Sequence, residues 1–265
     1  MGKQGWLRSA AVWLAGWMLG AGAQALELEP VERLWLEAAL PVLQFAREQG
    51  LPLDIIVQPQ PTPGETPLGM AYLAGRCKLV LSMRGNPEAQ ATLDRVEPGL
   101  RGAVVEAIAA HELGHCWRHT RQRWGSLPAG LQDVTAFARL SFEHAELLRE
   151  MWRTRREEGF ADLVGLAWTL ARNPGHYDAV HAWNVRLRAE QSVDTGPHDT
   201  RVWVQLAADK ARFKPGPSIF EQVQALWVAG LLAGSAAPTL ERHVVVAAEA
   251  VSWSDAGRAL HGEQD

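Results

Sequence analysis

Residues 104 to 119 read VVEAIAAHELGHCWRH. Val104, Ile108, Ala109 and Leu113 recur at helical spacing and predict a helix with a buried apolar stripe. His111, Glu112 and His115 interrupt its centre. Burying an uncompensated charge costs several kcal/mol, so these side chains require partners. Residues four apart on a helix stand one above the other, separated by ~6 Å of rise. Two imidazoles so placed can converge on one Zn²⁺ at about 2.0–2.1 Å. Glu112 is rotated by ~100° from His111, so it borders the metal position without ligating it. A base must stand there to take a proton from a metal-activated water.

Two histidines do not complete such a site; a third ligand is needed, with one position left open. His119 continues the series but lies ~12 Å along the helix from His111, too far for one ion to hold all three. The zincin class with a later histidine ligand needs glycine at position 118 and histidine at 121, and both are arginine. The remaining source is an acid on a second helix. The segment RREEGFADLVGLAWTLAR offers Glu157 and Glu158. Four residues beyond Glu158 stands Asp162, on the same helix face; four beyond Glu157 stands Ala161. A metal-bound histidine usually donates its far N–H to a carboxylate, which fixes tautomer and ring orientation. The pair Glu158 and Asp162 supplies both ligand and orienting partner, so Glu158 is the expected third ligand.

These residues need elements to hold them. Residues 29–50 have helical spacing, with Pro30 suited to a first turn, Gly50 to a C-cap, and Pro41 predicting a kink or two short helices. LPLDIIVQPQ reads as a strand, and MAYLAGRCKLVLSMRG as one or two more broken at Gly75. Beyond NPEAQATLDRVEPG the pattern is helical: the His111 helix, a long run over about 134–172, a helix in HYDAVHAWNVRLRAEQ, and three starting near Asp199, Pro217 and Pro238. The expected fold class is α+β, mostly α, with a small N-terminal β-sheet packed on a helical body, in a single domain over 26–265. The strand around Lys78 to Leu81 is expected to pair with an extended substrate.

The chain has 265 residues, is 47% apolar and 21% charged, and carries a net charge of −4, with twelve tryptophans spread along it. No basic cluster stands out, so nucleic acid is not an expected partner. Lys3 and Arg8, then AAVWLAGWMLGAGA, then Ala23-Gln24-Ala25 have the form of a secretory signal peptide over residues 1–25. An exported chain, periplasmic or secreted, with no transmembrane segment after processing is the expectation. ALWVAGLLAGSAA falls short of the ~20 residues a span needs. In an oxidising compartment the two cysteines, Cys77 and Cys116, can form a disulfide. It would close a loop of about 40 residues and contribute up to ~4 kcal/mol on the chain-entropy model.

HELGH followed by Glu158-Gly159-Phe160-Ala161-Asp162 resembles the HExxH plus ExxAD pattern of the gluzincin metallopeptidases. More narrowly, it is similar to the family that holds the CAAX prenyl proteases and the heat-shock membrane proteases, in a soluble, exported branch. The likeness covers about residues 51–206. Family members carry an Asn-Ala-Phe element before a hairpin, where this chain has Met70-Ala71-Tyr72. They also carry a His-Pro and a later arginine, where this chain has GPHDTRVW. The resemblance implies a zincin-like fold and one Zn²⁺ per chain, held by His111, His115 and Glu158. It implies Glu112 as general base in peptide hydrolysis and His198 as a catalytic group steadying the oxyanion. Asp162 and Arg201 would lie behind the ligands, Arg201 opening the next helix and pairing with an acidic residue to hold that loop. A protein or peptide is the implied substrate; the alternative is a periplasmic zinc-binding chaperone or assembly factor with little or no proteolysis.

Overall fold

The computed structural model describes residues 28–58, 65–131, 142–191 and 196–234. The proposed signal peptide, the start of the long helical run and the helix expected near Pro238 lie outside them. The described chain is α+β and mostly helical. Its elements are α1 (Pro30–Glu48), β1 (Leu53–Val57), β2 (Leu68–Leu73), β3 (Arg76–Leu81), α2 (Pro87–Asp94), α3 (Arg101–Thr120), α4 (Phe142–Arg172), α5 (Tyr177–Gln191), α6 (Arg201–Leu206), α7 (Ile219–Gln222) and α8 (Gln224–Gly234). None of the described helices is long and apolar enough to cross a membrane.

Helix α1 runs unbroken through Pro41, where the sequence predicted a kink or a break. Its stripe Trp35, Ala39, Val42 and Ala46 is buried on both sides of the proline. Packing against α3 therefore outweighs a backbone penalty of ~3 kcal/mol. The Trp35 indole N–H also donates to the Ala89 carbonyl of α2 (3.2 Å). Helix α2 begins on Asn86, whose side chain accepts from the Glu88 N–H, with Pro87 in the first turn.

The sheet has the order β1-β3-β2, with β1 parallel and β2 antiparallel to β3. The β2–β3 hairpin turns through Ala74 and Gly75, both at positive φ (50° and 77°), as a two-residue turn of primed type demands. Alternation sorts β3 into two faces. Cys77, Leu79 and Leu81 are buried against the helices, while Arg76 and Lys78 pair with Asp54 on the outer face. Cys77 and Cys116 are bonded, which ties the central strand to α3.

This order corrects the expectation that the Lys78–Leu81 strand pairs with substrate. β3 is the central strand and spends its backbone groups on both neighbours. The strand bordering the cleft is β2, through Leu68, Gly69 and Met70. It is an outer strand of the sheet.

Candidate metal centre

Helices α3 and α4 carry the cluster, and small residues let them approach closely. A Cβ on Gly165 of α4 would lie 2.7 Å from the Ala107 carbonyl oxygen of α3, and one on Gly114 of α3 would lie 3.1 Å from Ala161 Cα. A side chain at Gly165 would force the backbones apart, and one at Gly114 would press on α4, so both glycines favour the close approach of the two motifs. Gly159 serves α4 differently: its missing side chain leaves room for Trp203, whose indole N–H donates to the Trp227 carbonyl (2.9 Å).

The two histidines of α3 bring their Nε2 atoms within 3.1 Å of each other. Glu158 of α4 faces both, with Oε1 3.3 Å from His115 Nε2 and Oε2 3.5 Å from His111 Nε2. One ligand atom from each of the three lies within 4.8 Å of the others. Behind them, His111 Nδ1 lies 3.0 Å from Asp162 Oδ1. With Nδ1–H donated to that carboxylate, the lone pair of His111 Nε2 points at the shared centre. A set of two imidazole nitrogens and one carboxylate, with a tautomer fixed from behind, suits a divalent metal ion of the zinc type. His111, His115 and Glu158 could hold such an ion.

Glu157, the neighbour of Glu158, belongs to another network. It takes a fork of hydrogen bonds from Arg118 Nε and Nη2 (both 2.7 Å) and a third from the Gly125 N–H (2.8 Å). The two side chains are 1% and 2% exposed, so this ion pair is sealed in the interior.

Two contributors to the cluster lie outside the residues expected from sequence. Arg188 of α5 donates to Asp162 through Nε (2.8 Å) and Nη2 (2.6 Å), and Nη2 also lies 3.5 Å from Glu158. Thr200 donates its hydroxyl to Asp162 Oδ2 (2.5 Å). A signal for Arg188 is present in the sequence. Tyr177, Val180, Asn184 and Arg188 follow at helical spacing, and all four are buried. Thr200 stands between His198 and Arg201, so the sequence points to the right loop. His198 lines the cleft with its side chain 56% exposed, Nδ1 3.5 Å from Glu158 Oε2. Arg201 opens α6 and forks onto Asp199 (2.8 and 3.1 Å). The arginine that reaches Asp162 is thus Arg188, because α5 packs across α4 at the level of the acids.

Glu112, His111 and His115 line one cleft of about 570 Å³ with Glu158, Arg188 and His198, open beside β2. Burial pushes the Glu112 carboxyl upward from its usual range, against the pull of both histidines. Burial disfavours a charged His115, yet the Glu158 carboxylate, with Glu112 and Glu157, holds its pKa up at about 9. Glu158 in turn stays well below the carboxylate range despite burial, because His115, His198 and His111 surround it. Asp162 is likewise buried but held low by Arg188 and His111. The cluster therefore favours positive charge at the point between Glu158 and the two imidazoles.

No protein-family model, no curated protein and no solved structure matches the chain.

Proposed function

We propose that the chain is an exported, zinc-dependent endopeptidase with a zincin-like fold. The observation that carries this reading is the convergence of His111, His115 and Glu158 within 4.8 Å, in a cleft that Glu112 also lines. Zinc suits a donor set of two imidazoles and one carboxylate, His115 giving up its proton when the ion binds, and three protein ligands leave a position for water. When bound, the ion would polarise a peptide carbonyl and make a water molecule acidic near neutral pH.

The remaining steps belong to the side chains of this chain. Glu112 takes the proton of the attacking water and delivers it to the leaving amine nitrogen. Burial raises the proton affinity of its carboxylate, the direction that suits a general base. Asp162 fixes the tautomer of His111, and Arg188 with Thr200 hold Asp162 in place. His198, on the open side of Glu158, would donate to the oxyanion of the tetrahedral intermediate. The outer strand β2 offers backbone groups along the cleft, to which an extended peptide can add. Export rests on the leader-like residues 1–25 and agrees with the Cys77–Cys116 disulfide.

Glu112→Gln tests the assignment. The variant should bind zinc with wild-type stoichiometry while its cleavage of an unfolded protein substrate falls by about 10²–10⁴-fold. Wild-type cleavage rates in Glu112→Gln would refute it. A phenotype that depends on zinc but not on Glu112 would favour a chaperone or assembly factor.

A further inference from the structure

The two histidines of the candidate metal centre are held by different means. His111 is oriented by a hydrogen bond from Nδ1 to Asp162. His115 is 8% exposed, and its Nδ1 has no hydrogen-bond partner among the described residues. A ligand ring without such a partner must take its orientation from packing. Besides its co-ligand candidate His111 (centroids 4.7 Å, edge-on), the ring set against it is Trp124, with centroids 5.6 Å apart and planes tilted by 62°.

Trp124 stands on the loop after α3, and that loop is fastened from below. Arg118 donates to the Ser126 carbonyl (3.0 Å) as well as to Glu157, and Glu157 accepts from the Gly125 N–H. Gly125 has a φ of +71°, a left-handed turn that directs the chain back onto α4. On the cleft side, the Trp124 ring stacks on His119 at 3.9 Å with planes 11° apart, and His119 stacks on Tyr72 of β2 at 4.7 Å. The loop next to the tryptophan is thus tied through the Gly125 and Ser126 backbone to a buried ion pair, and the ring itself is held by an aromatic stack.

We infer that Trp124 is a positioning residue for His115: its ring, clamped through Gly125 by the Arg118–Glu157 pair, does for His115 what Asp162 does for His111. The inference rests on the metal reading of the cluster. It gives the Glu157 network a function beyond stability, since that network fixes the loop that sets the second imidazole. It also gives His119 a role without making it a ligand, as the face on which Trp124 stacks.

The test uses metal-free full-length protein and two readouts: zinc affinity by competition with a chromogenic chelator, and the visible absorption of the Co²⁺-loaded protein. Trp124→Ala should weaken zinc binding about tenfold, the low end of the range for losing an outer partner, and should change the Co²⁺ spectrum. Trp124→Phe, which keeps an aromatic ring, should restore both to near wild type. If Trp124→Ala does not fold, Trp124→Leu takes its place with the same expected outcome. Wild-type affinity and an unaltered Co²⁺ spectrum in the ring-deleted variant would overturn the inference while leaving the metal centre intact. Absence of stoichiometric zinc binding in the wild-type protein would overturn the metal reading and this inference together.

Discussion

Glu157 and Glu158 are adjacent on α4 and of identical chemistry, yet their surroundings make them different objects. Glu157 is matched by one guanidinium in a fork and by one backbone N–H, with the aromatic rings of Phe160 and Trp227 close to that guanidinium. Its charge is answered on the spot. Glu158 borders an open cleft, and its neighbours are two imidazoles that gain most from it by sharing a cation. Arg188 stands at 3.5 Å from it but commits its short hydrogen bonds to Asp162. A saturated buried pair marks a structural part; a buried acid facing imidazole nitrogens across a cavity is one that could hold a cation.

Substitution should separate the two sharply. Glu158→Ala should reduce zinc affinity by more than about 100-fold, beyond the range for losing an outer partner, and abolish cleavage while the fold persists. Chelator competition and circular dichroism decide this; retained affinity would place the third ligand elsewhere. Glu157→Ala should act the other way round. It strands the Arg118 charge inside the protein at a cost of about 3–5 kcal/mol, read as a fall in Tm on the order of 10 °C. Its zinc affinity should drop by about tenfold at most, through the loosened Trp124 loop. Asp162→Asn should lie between them, weakening zinc binding by about 10–100-fold because His111 loses its anionic partner. An affinity equal to wild type in that variant would show that ring orientation at His111 does not depend on the carboxylate.

The helix with both histidines, the strands broken at Gly75 and the long second helix were legible because each repeats a local period. The preference for Glu158 over Glu157 was legible too, since residues four apart share a helix face and Asp162 lies on the Glu158 face. Arg188 escaped because an arginine on a predicted helix is ordinarily solvated, and only the packing of α5 on α4 buries it. Trp124 escaped because a tryptophan in a loop carries no period. Pro41 misled because local backbone cost says nothing of the neighbour that offsets it. The strand expected to face substrate was misjudged because strand order depends on the connection between strands, and β3 entered the centre.

By itself, the sequence determined which side chains share a helix face: His111 with His115 and Glu158 with Asp162, all consequences of 3.6 residues per turn. Only the tertiary structure decided that the two faces meet, through glycines 114 and 165 that let α3 and α4 close to near contact. It alone decided which strand borders the cleft, which arginine reaches Asp162, and which ring packs on His115. Local periodicity is a property of the covalent chain, whereas these contacts join residues tens of positions apart and exist only once the interior is packed.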